Sequence, residues 1–470
     1  MSIIGREKEI DILKKCYESN QSDFIAIYGR RRVGKTFLVK ELFGEQFSFY
    51  STGLHDEDIN MQLQAWNREI SRFGGSKLPD ARNWIEAFEN LNSLTEESTA
   101  KKKVIFLDEI PWMATLRSDF LAGLDYYWNR WASSRKDILL IVCGSAASWI
   151  TNNIINDKGG LHNRLTRQIL IEPFNLRECR QYYESRHIPL THYQMAEAYM
   201  IFGGVPYYLS LMEPHLSLYQ NVDKVYFAQD AELRNEFINL YRSLYKNADR
   251  YIKVVEVLAK RGLGMTRSEI ANELDISDGG RLTEILQNLL ISGFIRKYKA
   301  YGQKRKDSLY QLIDFFTLFD IRFRNKRGLY ESNYWLNFSS TSAHSSWSGI
   351  SFEKLCLLHL PQIRKKLGIS GVLTTAYSWR GKHEDVGAQI DLVIDRGDNV
   401  VNLCEIKFSS EPFTLQKSDS ESLRSKRSAF IGSTRTRKSV VTTMITTFGL
   451  KKNIYSAEIV SEVVLDDLFE

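Results

Sequence analysis

Residues 24 to 43 read FIAIYGRRRVGKTFLVKELF: an apolar β-type run, a loop framed by two glycines, a Lys-Thr pair, then helical spacing. That order restricts the segment to an α/β domain in which a buried strand feeds straight into a helix N-terminus. Gly29, Gly34, Lys35 and Thr36 satisfy the GxxxxGK[ST] spacing. In that loop backbone N–H groups wrap phosphate oxygens, the lysine reaches the β and γ oxygens and the hydroxyl holds Mg²⁺. Arg30, Arg31, Arg32, Val33 and Phe37 complete the loop and the first helical turn. The three arginines read either as electrostatic attraction for a nucleotide or as solvated loop residues.

A second apolar run, in KKKVIFLDEIPWM, ends in Asp108 and Glu109. In a parallel α/β sheet the C-terminal ends of the strands face the ligand crevice. There Asp108 is expected to hold Mg²⁺ through water, and Glu109 to polarise the attacking water. A third run, DILLIVCGSAASW, brings Ser145 to the same edge, or else uses it as a helix cap. Further on, GLHNRLTRQILIEPF places Arg164 and Arg167 ahead of another apolar run, and GGVPYYL follows a helical stretch.

These segments, with IIGREKEI at the start, resemble the AAA+/STAND-type ATPases of the archaeal ATPase family over roughly residues 1 to 240. The resemblance implies ATP with Mg²⁺ as the ligand. It implies Gly5 and Arg6 near the adenine, Ser145 as a sensor, and Pro206 closing a lid. Arg164 or Arg167 would be an arginine finger, acting within one chain or across a subunit boundary, so a homo-oligomer stays open. Either arginine reads equally as the partner of a structural carboxylate.

At 470 residues the chain exceeds the roughly 250 to 300 residues of a single core, so several domains are expected. Five scattered cysteines without a CxxC pair argue against a disulfide framework or a zinc site and fit a reducing cytoplasm. No apolar run approaches the roughly 18 residues of a membrane helix. A net charge of +6 is mild, so attraction to nucleic acid must come from local patches.

The middle of the chain has the order of a winged helix-turn-helix. A helix covers Tyr251 to Arg261, Thr266 caps TRSEIANEL with Glu269 three residues on, and a third helix carries Leu282, Ile285, Leu286, Leu289 and Leu290 on one face. FIRKYK and SLYQLI follow as a two-stranded wing around GQKRKD. Lys297, Lys299, Lys304, Arg305 and Lys306 would meet DNA phosphates. Arg281, Thr283, Glu284, Gln287 and Asn288 form a modest set for reading bases, so little sequence specificity is expected. The same segment reads also as a docking module for the ATPase.

In the last third, GISFEKLCLLHLPQIRKKLG is an amphipathic helix bearing Glu353, and two strands, QIDLVID and NVVNLCEIKF, are joined by the turn RGDN. Strand period two points Glu405 and Lys407 the same way, with Asp391 on the neighbouring strand. Carboxylates holding a divalent metal beside a lysine suit phosphodiester cleavage. The arrangement resembles the PD-(D/E)xK nuclease superfamily, in the variant that commonly follows archaeal-type ATPases. By that resemblance Asp391, Glu405 and Glu353 are the metal ligands, and Glu405 and Lys407 the ExK pair. The literal Pro-Asp is missing, since Ile390 stands in the proline's place before Asp391. Lys417, Arg424, Lys426, Arg427, Arg435, Arg437 and Lys438 suit a phosphate backbone or a solvated face.

The expected organisation is α/β and multidomain: a P-loop AAA+ ATPase core over 1–172, a helical lid over 173–244, a winged helix-turn-helix over 245–315, a connector over 316–348 and a restriction-endonuclease-like α/β domain over 349–470. The expected partners are ATP and DNA, with no membrane. Two functions follow: an ATP-regulated, Mg²⁺-dependent nuclease, or a STAND-like switch whose C-terminal fold only binds or signals.

Overall fold

Strand runs that are apolar at every position must be covered on both faces, which favours a parallel sheet with helices above and below. The computed structural model, which describes residues 3–75, 77–115, 118–156, 159–161, 163–302, 308–327, 333–383 and 386–470, has such a sheet near its N-terminus. Its strands are β1 (Asp23–Tyr28), β2 (Phe47–Thr52), β3 (Lys103–Asp108), β4 (Ile138–Gly144) and β5 (Arg167–Leu170). They pair in the order β2-β3-β4-β1-β5, all parallel. Alternate residues divide between two cores. Phe24, Ala26, Ile105, Leu107, Leu140 and Val142 face one cluster, while Ile25, Ile27, Val104, Phe106, Leu139 and Ile141 face the other. Because β4 lies between β1 and β3, the ends of three strands converge on one edge.

The chain divides into two compact units, Met1–Glu172 with Ser243–Tyr245, and Pro173–Arg242 with Lys246–Glu470. In the second unit, helices Ala248–Ala259, Arg267–Glu273 and Gly280–Ile291 precede a small antiparallel sheet, ordered β6-β8-β7. Its strands are β6 (Met265–Thr266), β7 (Ile295–Tyr298) and β8 (Leu309–Leu312). Thr266 caps its helix with Glu269 in a reciprocal capping box, the pattern its spacing predicts.

A five-stranded mixed sheet closes the second unit, built from β9 (Thr374–His383), β10 (Val386–Arg396), β11 (Val400–Lys407), β12 (Ser439–Thr446) and β13 (Ser461–Val464). The order is β13-β12-β11-β10-β9, antiparallel through β9, β10 and β11 and parallel from β11 to β13. Helix Lys417–Thr434 makes the crossover between β11 and β12.

Two expected boundaries fall inside helices. The Ser-rich stretch before Gly349 belongs to helix Ser342–Leu358, whose N-terminus Thr341 caps by accepting from the His344 N–H. His344 and Trp347 are buried, so the connecting segment enters the C-terminal domain as a packed helix. The junction at residue 316 lies within helix Phe315–Phe323.

The helices expected as a lid pack on the C-terminal domain. The ring of His192 stacks on Phe469 at 4.1 Å and Tyr193 stacks on Phe408 at 4.7 Å. His359 Nε2 accepts from the Leu176 N–H at 3.1 Å while Nδ1 meets Leu355 O at 2.8 Å, which fixes a neutral tautomer with the proton on Nδ1. Burial pushes this ring down to about 4 from its ordinary 6.5. The unfolded chain therefore takes up the proton first, so the second unit should be fully stable above pH 6.5 and lose up to about 3 kcal/mol at this site as pH falls toward 4. Urea unfolding across that range should show the decline. His359→Phe should cost about 1–3 kcal/mol at pH 7, by orphaning the Leu176 N–H, and make the decline shallower.

Candidate functional site

The edge where β1, β3 and β4 end holds the first site. Gly29 follows β1 with φ +147°, and a Cβ there would stand 2.2 Å from Ile171 O, so the chain can turn off the strand only without a side chain. Arg32 and Gly34 also take positive φ, curling the loop before helix Lys35–Phe43 begins. Lys35 is only 4% exposed. Its Nζ donates to Gly29 O at 3.1 Å, Arg30 O at 2.8 Å and Ser145 Oγ at 3.3 Å. Burial pushes its ammonium below the ordinary value, opposed by Cys143, Glu109 and Asp108. Thr36 Oγ1 donates to Asp108 Oδ2 at 2.7 Å.

Glu109, the residue after Asp108, takes φ +49°. A non-glycine residue held there costs on the order of 1–3 kcal/mol and persists only where its surroundings enforce it. Its side chain is held by Ser145, whose N–H donates to Glu109 Oε2 at 3.0 Å and whose hydroxyl donates to Oε1. Sequence places Glu109 and Ser145 at the same edge but gives no sign that they bind each other. The donor set suits a Mg²⁺-nucleotide, with a hydroxyl and a carboxylate paired as hard oxygen ligands and an ammonium beside them.

Arg6, buried at the head of the first helix, donates to Glu172 O at 2.6 Å and Val33 O at 3.4 Å, so its guanidinium braces the phosphate loop. Gly5 precedes it with φ +62°. Val33 is buried and Phe37 exposed, while Arg30 is buried and Arg31 and Arg32 half-buried. Arg164 is exposed in the loop entering β5. Arg167 pairs with Ile25 near the start of β1, whereas Tyr28, level with Leu170, adjoins the loop. At about 3.3 Å per residue, that separates Arg167 from the phosphate loop by roughly 10 Å of strand, so the structure does not bring it there within one chain. Pro206 opens helix Pro206–Ser210 in the second unit.

The second constellation lies on the C-terminal sheet. Lys407 Nζ stands 3.0 Å from Glu405 Oε1, and Lys426 Nζ, on the crossover helix, 2.7 Å from Oε2. These lysines outweigh the burial of Glu405 and hold its carboxyl below the ordinary range. Extending the β10–β11 register by one residue sets Asp391 opposite Glu405, and Gln389 Nε2 donates to Asp391 Oδ1 at 2.7 Å. Glu353 is pushed up to about 7, by burial first and then by the Asp391 carboxylate. The three acids and Lys407 thus share one electrostatic neighbourhood. Among the described residues, however, no three His, Cys, Asp or Glu side chains are set to hold a metal ion. Both oxygens of Glu405 face lysines, so the acids as they stand do not form a metal cage.

Several residues expected at a phosphate backbone are engaged elsewhere. Lys417 pairs with Glu421, Arg424 with Glu458, Lys426 with Glu405 and Lys438 with Asp395. Arg427, Arg435 and Arg437 are exposed. Lys297 and Lys299 are exposed too, as are Arg281, Thr283, Glu284 and Gln287, while Asn288 donates to Tyr251 OH at 2.8 Å. Lys304, Arg305 and Lys306 lie outside the described residues.

The parallel sheet and its phosphate loop define the first unit as a P-loop fold. Residues 3–212 match a family described as an ATPase domain predominantly from Archaea. Of the solved structures, the Walker-type ATPase paby2304 of Pyrococcus abyssi is 19% identical, with a TM-score of 0.50, covering 68% of this chain and 96% of that one. The uncharacterized protein MJECL04 of Methanocaldococcus jannaschii is 24% identical over 410 residues, covering 86% of this chain and 87% of its own. The uncharacterized ATP-binding protein MJ0423 of the same organism is 42% identical over 38 residues, 8% of this chain and 64% of its own. Fold and family match support an archaeal-type P-loop ATPase that binds nucleotide. No helix among the described residues is long and apolar enough to cross a membrane.

Gly29→Ala should abolish nucleotide binding, because the methyl group cannot share space with Ile171 O. Calorimetric titration with ATP and Mg²⁺ checks this, alongside Gly44→Ala, whose Cβ would meet nothing within 4 Å.

Proposed function

We propose that the chain is an ATP-driven DNA-handling protein. The first unit binds and hydrolyses ATP with Mg²⁺, and its nucleotide state governs the second unit. The second unit combines a helical lid, a winged helix-turn-helix that contacts DNA phosphates with little base specificity, and a PD-(D/E)xK nuclease-like domain. The observation that carries this reading is the hydrogen-bonded set of Lys35, Thr36, Asp108, Glu109 and Ser145 at one sheet edge.

Within it Lys35 neutralises phosphate oxygens, trading loop carbonyls for ligand. Thr36 and Asp108 are the residues that would hold Mg²⁺, which supplies charge neutralisation at the phosphates. Glu109, aimed by Ser145, orients the attacking water and accepts its proton. Movement of Ser145 on nucleotide binding would release Glu109, so this serine links binding to water activation. An arginine finger from Arg164 or Arg167 requires a second copy of the chain, and a homo-oligomer is proposed on that ground.

For the C-terminal domain the clustering of Glu353, Asp391, Glu405 and Lys407 favours Mg²⁺-dependent phosphodiester cleavage. A second reading is favoured by Lys426 and Lys407 on Glu405: a fold that binds or signals without cutting. Mg²⁺-dependent cleavage of single-stranded, duplex or branched DNA that Asp391→Ala abolishes selects the first. Its absence on every substrate, with and without ATP, selects the second.

Lys35→Ala should remove nucleotide binding, whereas Glu109→Gln should keep it and slow hydrolysis on the order of 10²-fold. Equilibrium binding and steady-state phosphate release separate the two, and unchanged turnover in both would refute the assignment.

A further inference from the structure

The wing strand β7 has two different faces. Lys297 and Lys299 are exposed, while Arg296 and Tyr298 alternate with them and are half-buried, Arg296 Nε donating to Gln311 Oε1 at 2.6 Å and Tyr298 meeting Ser378 of the C-terminal domain. Past the end of β7 the chain joins that domain directly. Ala300 bridges to Ser378 on β9, and the Tyr301 N–H donates to Ser378 O at 2.9 Å. Ser378 Oγ donates to Tyr298 OH at 3.3 Å, and Tyr298 OH donates to Leu263 O. The ring of Tyr301 meets Tyr377 edge-on at 5.3 Å and Phe430 at 5.0 Å, joining the core of Trp379, Ile390 and Val393.

The residue gripped in this way occupies a special position. The β9–β10 ladder pairs Trp379 with Ile390 and Tyr377 with Val393, so Ser378 alone faces both Asp391 and Leu392. Two residues opposite one make a β-bulge, which breaks the ladder locally and re-aims a side chain. Leu392 is fully buried, and Asp391, beside it, reaches the acidic neighbourhood of Glu353. Since β9 is the edge strand of its sheet, Tyr301 supplies from outside a backbone partner that the sheet lacks there.

We propose that the wing is a positioning element of the C-terminal site: Tyr298 and Tyr301 clamp Ser378 and thereby fix the bulge that presents Asp391. Among the described residues, this contact leaves the outer face of β7, with Lys297 and Lys299, for nucleic acid. Lys354 reinforces the junction. It is 7% exposed, on the helix of Glu353, and within electrostatic reach of Glu353, Arg296 and Asp391. A displacement of the three-helix domain is thus transmitted to Asp391 through one backbone hydrogen bond and two tyrosines.

The role assigned to Asp391 rests on the proposed function, whereas the clamp is measurable without it. Amide hydrogen exchange over residues 374–396 of the full chain compares wild type with Tyr301→Ala, Tyr298→Phe, Tyr301→Phe and Lys299→Ala. Tyr301→Ala should speed exchange at Trp379 and at Ile390 to Val393 at least tenfold, with helix Gly280–Ile291 unchanged. Tyr298→Phe should give a smaller rise at the same amides, and the other two should match wild type. Equal exchange in Tyr301→Ala and wild type, or a rise spread evenly over the second unit, would overturn the proposal. Titration with Mn²⁺ is read in parallel and should weaken about tenfold in Tyr301→Ala. Faster local exchange in a protein that binds no Mn²⁺ supports the clamp and removes the nuclease reading alone.

Discussion

A buried lysine ammonium organises the first unit. An uncompensated charge in an apolar interior is strongly unfavourable, and Lys35 is tolerated because two loop carbonyls and Ser145 surround it. Those partners are supplied by topology. Placing β4 between β1 and β3 puts groups after β1 and β4 within hydrogen-bonding reach of one ammonium, with the carboxylates at the end of β3 in electrostatic reach. Glu109 in the same network has a strained backbone conformation, and Ser145 touches both the acid and the lysine. A ligand that draws Lys35 away alters the support of Glu109, which gives a local route from binding to chemistry.

The second unit is organised by aromatic packing between segments that the sequence suggests are separate. Tyr193 on Phe408 and His192 on Phe469 join the helices after residue 172 to the C-terminal domain, and Tyr301, past the end of β7, joins the same domain through Tyr377 and Phe430. The helices after residue 172, the small three-stranded sheet and the C-terminal sheet therefore belong to one compact unit, in which a shift at one part strains the others.

Much of the first site is legible in sequence because its chemistry depends on local spacing. The phosphate loop, Asp108 and Glu109 each follow a strand run whose direction sets their edge. What escapes is contact between distant segments. That Arg6 braces Val33, that Ser145 aims Glu109, and that Arg167 sits away from the loop depend on strand order and register. In the C-terminal domain, period two correctly puts Glu405 and Lys407 side by side, but it cannot reveal Lys426 arriving from a crossover helix. The bulge opposite Ser378 is invisible for the same reason, since two residues facing one leave no mark on the alternation of a single strand. Before Gly349 the density of Phe and Trp suggests packing, and Trp335, His344 and Trp347 are buried, but the helix that carries the last two is hidden by the serines around them.

In the proposed function, nucleotide state in the first unit governs the second. DNA affinity of the full chain, measured at one fixed low salt concentration with ADP, with a non-hydrolysable ATP analogue and without nucleotide, tests it most directly. Affinities should differ at least severalfold between the ADP and ATP-analogue states, and a Lys35→Ala chain should stay at the nucleotide-free value. Identical DNA binding in all three states, by a protein that demonstrably holds nucleotide, would contradict it.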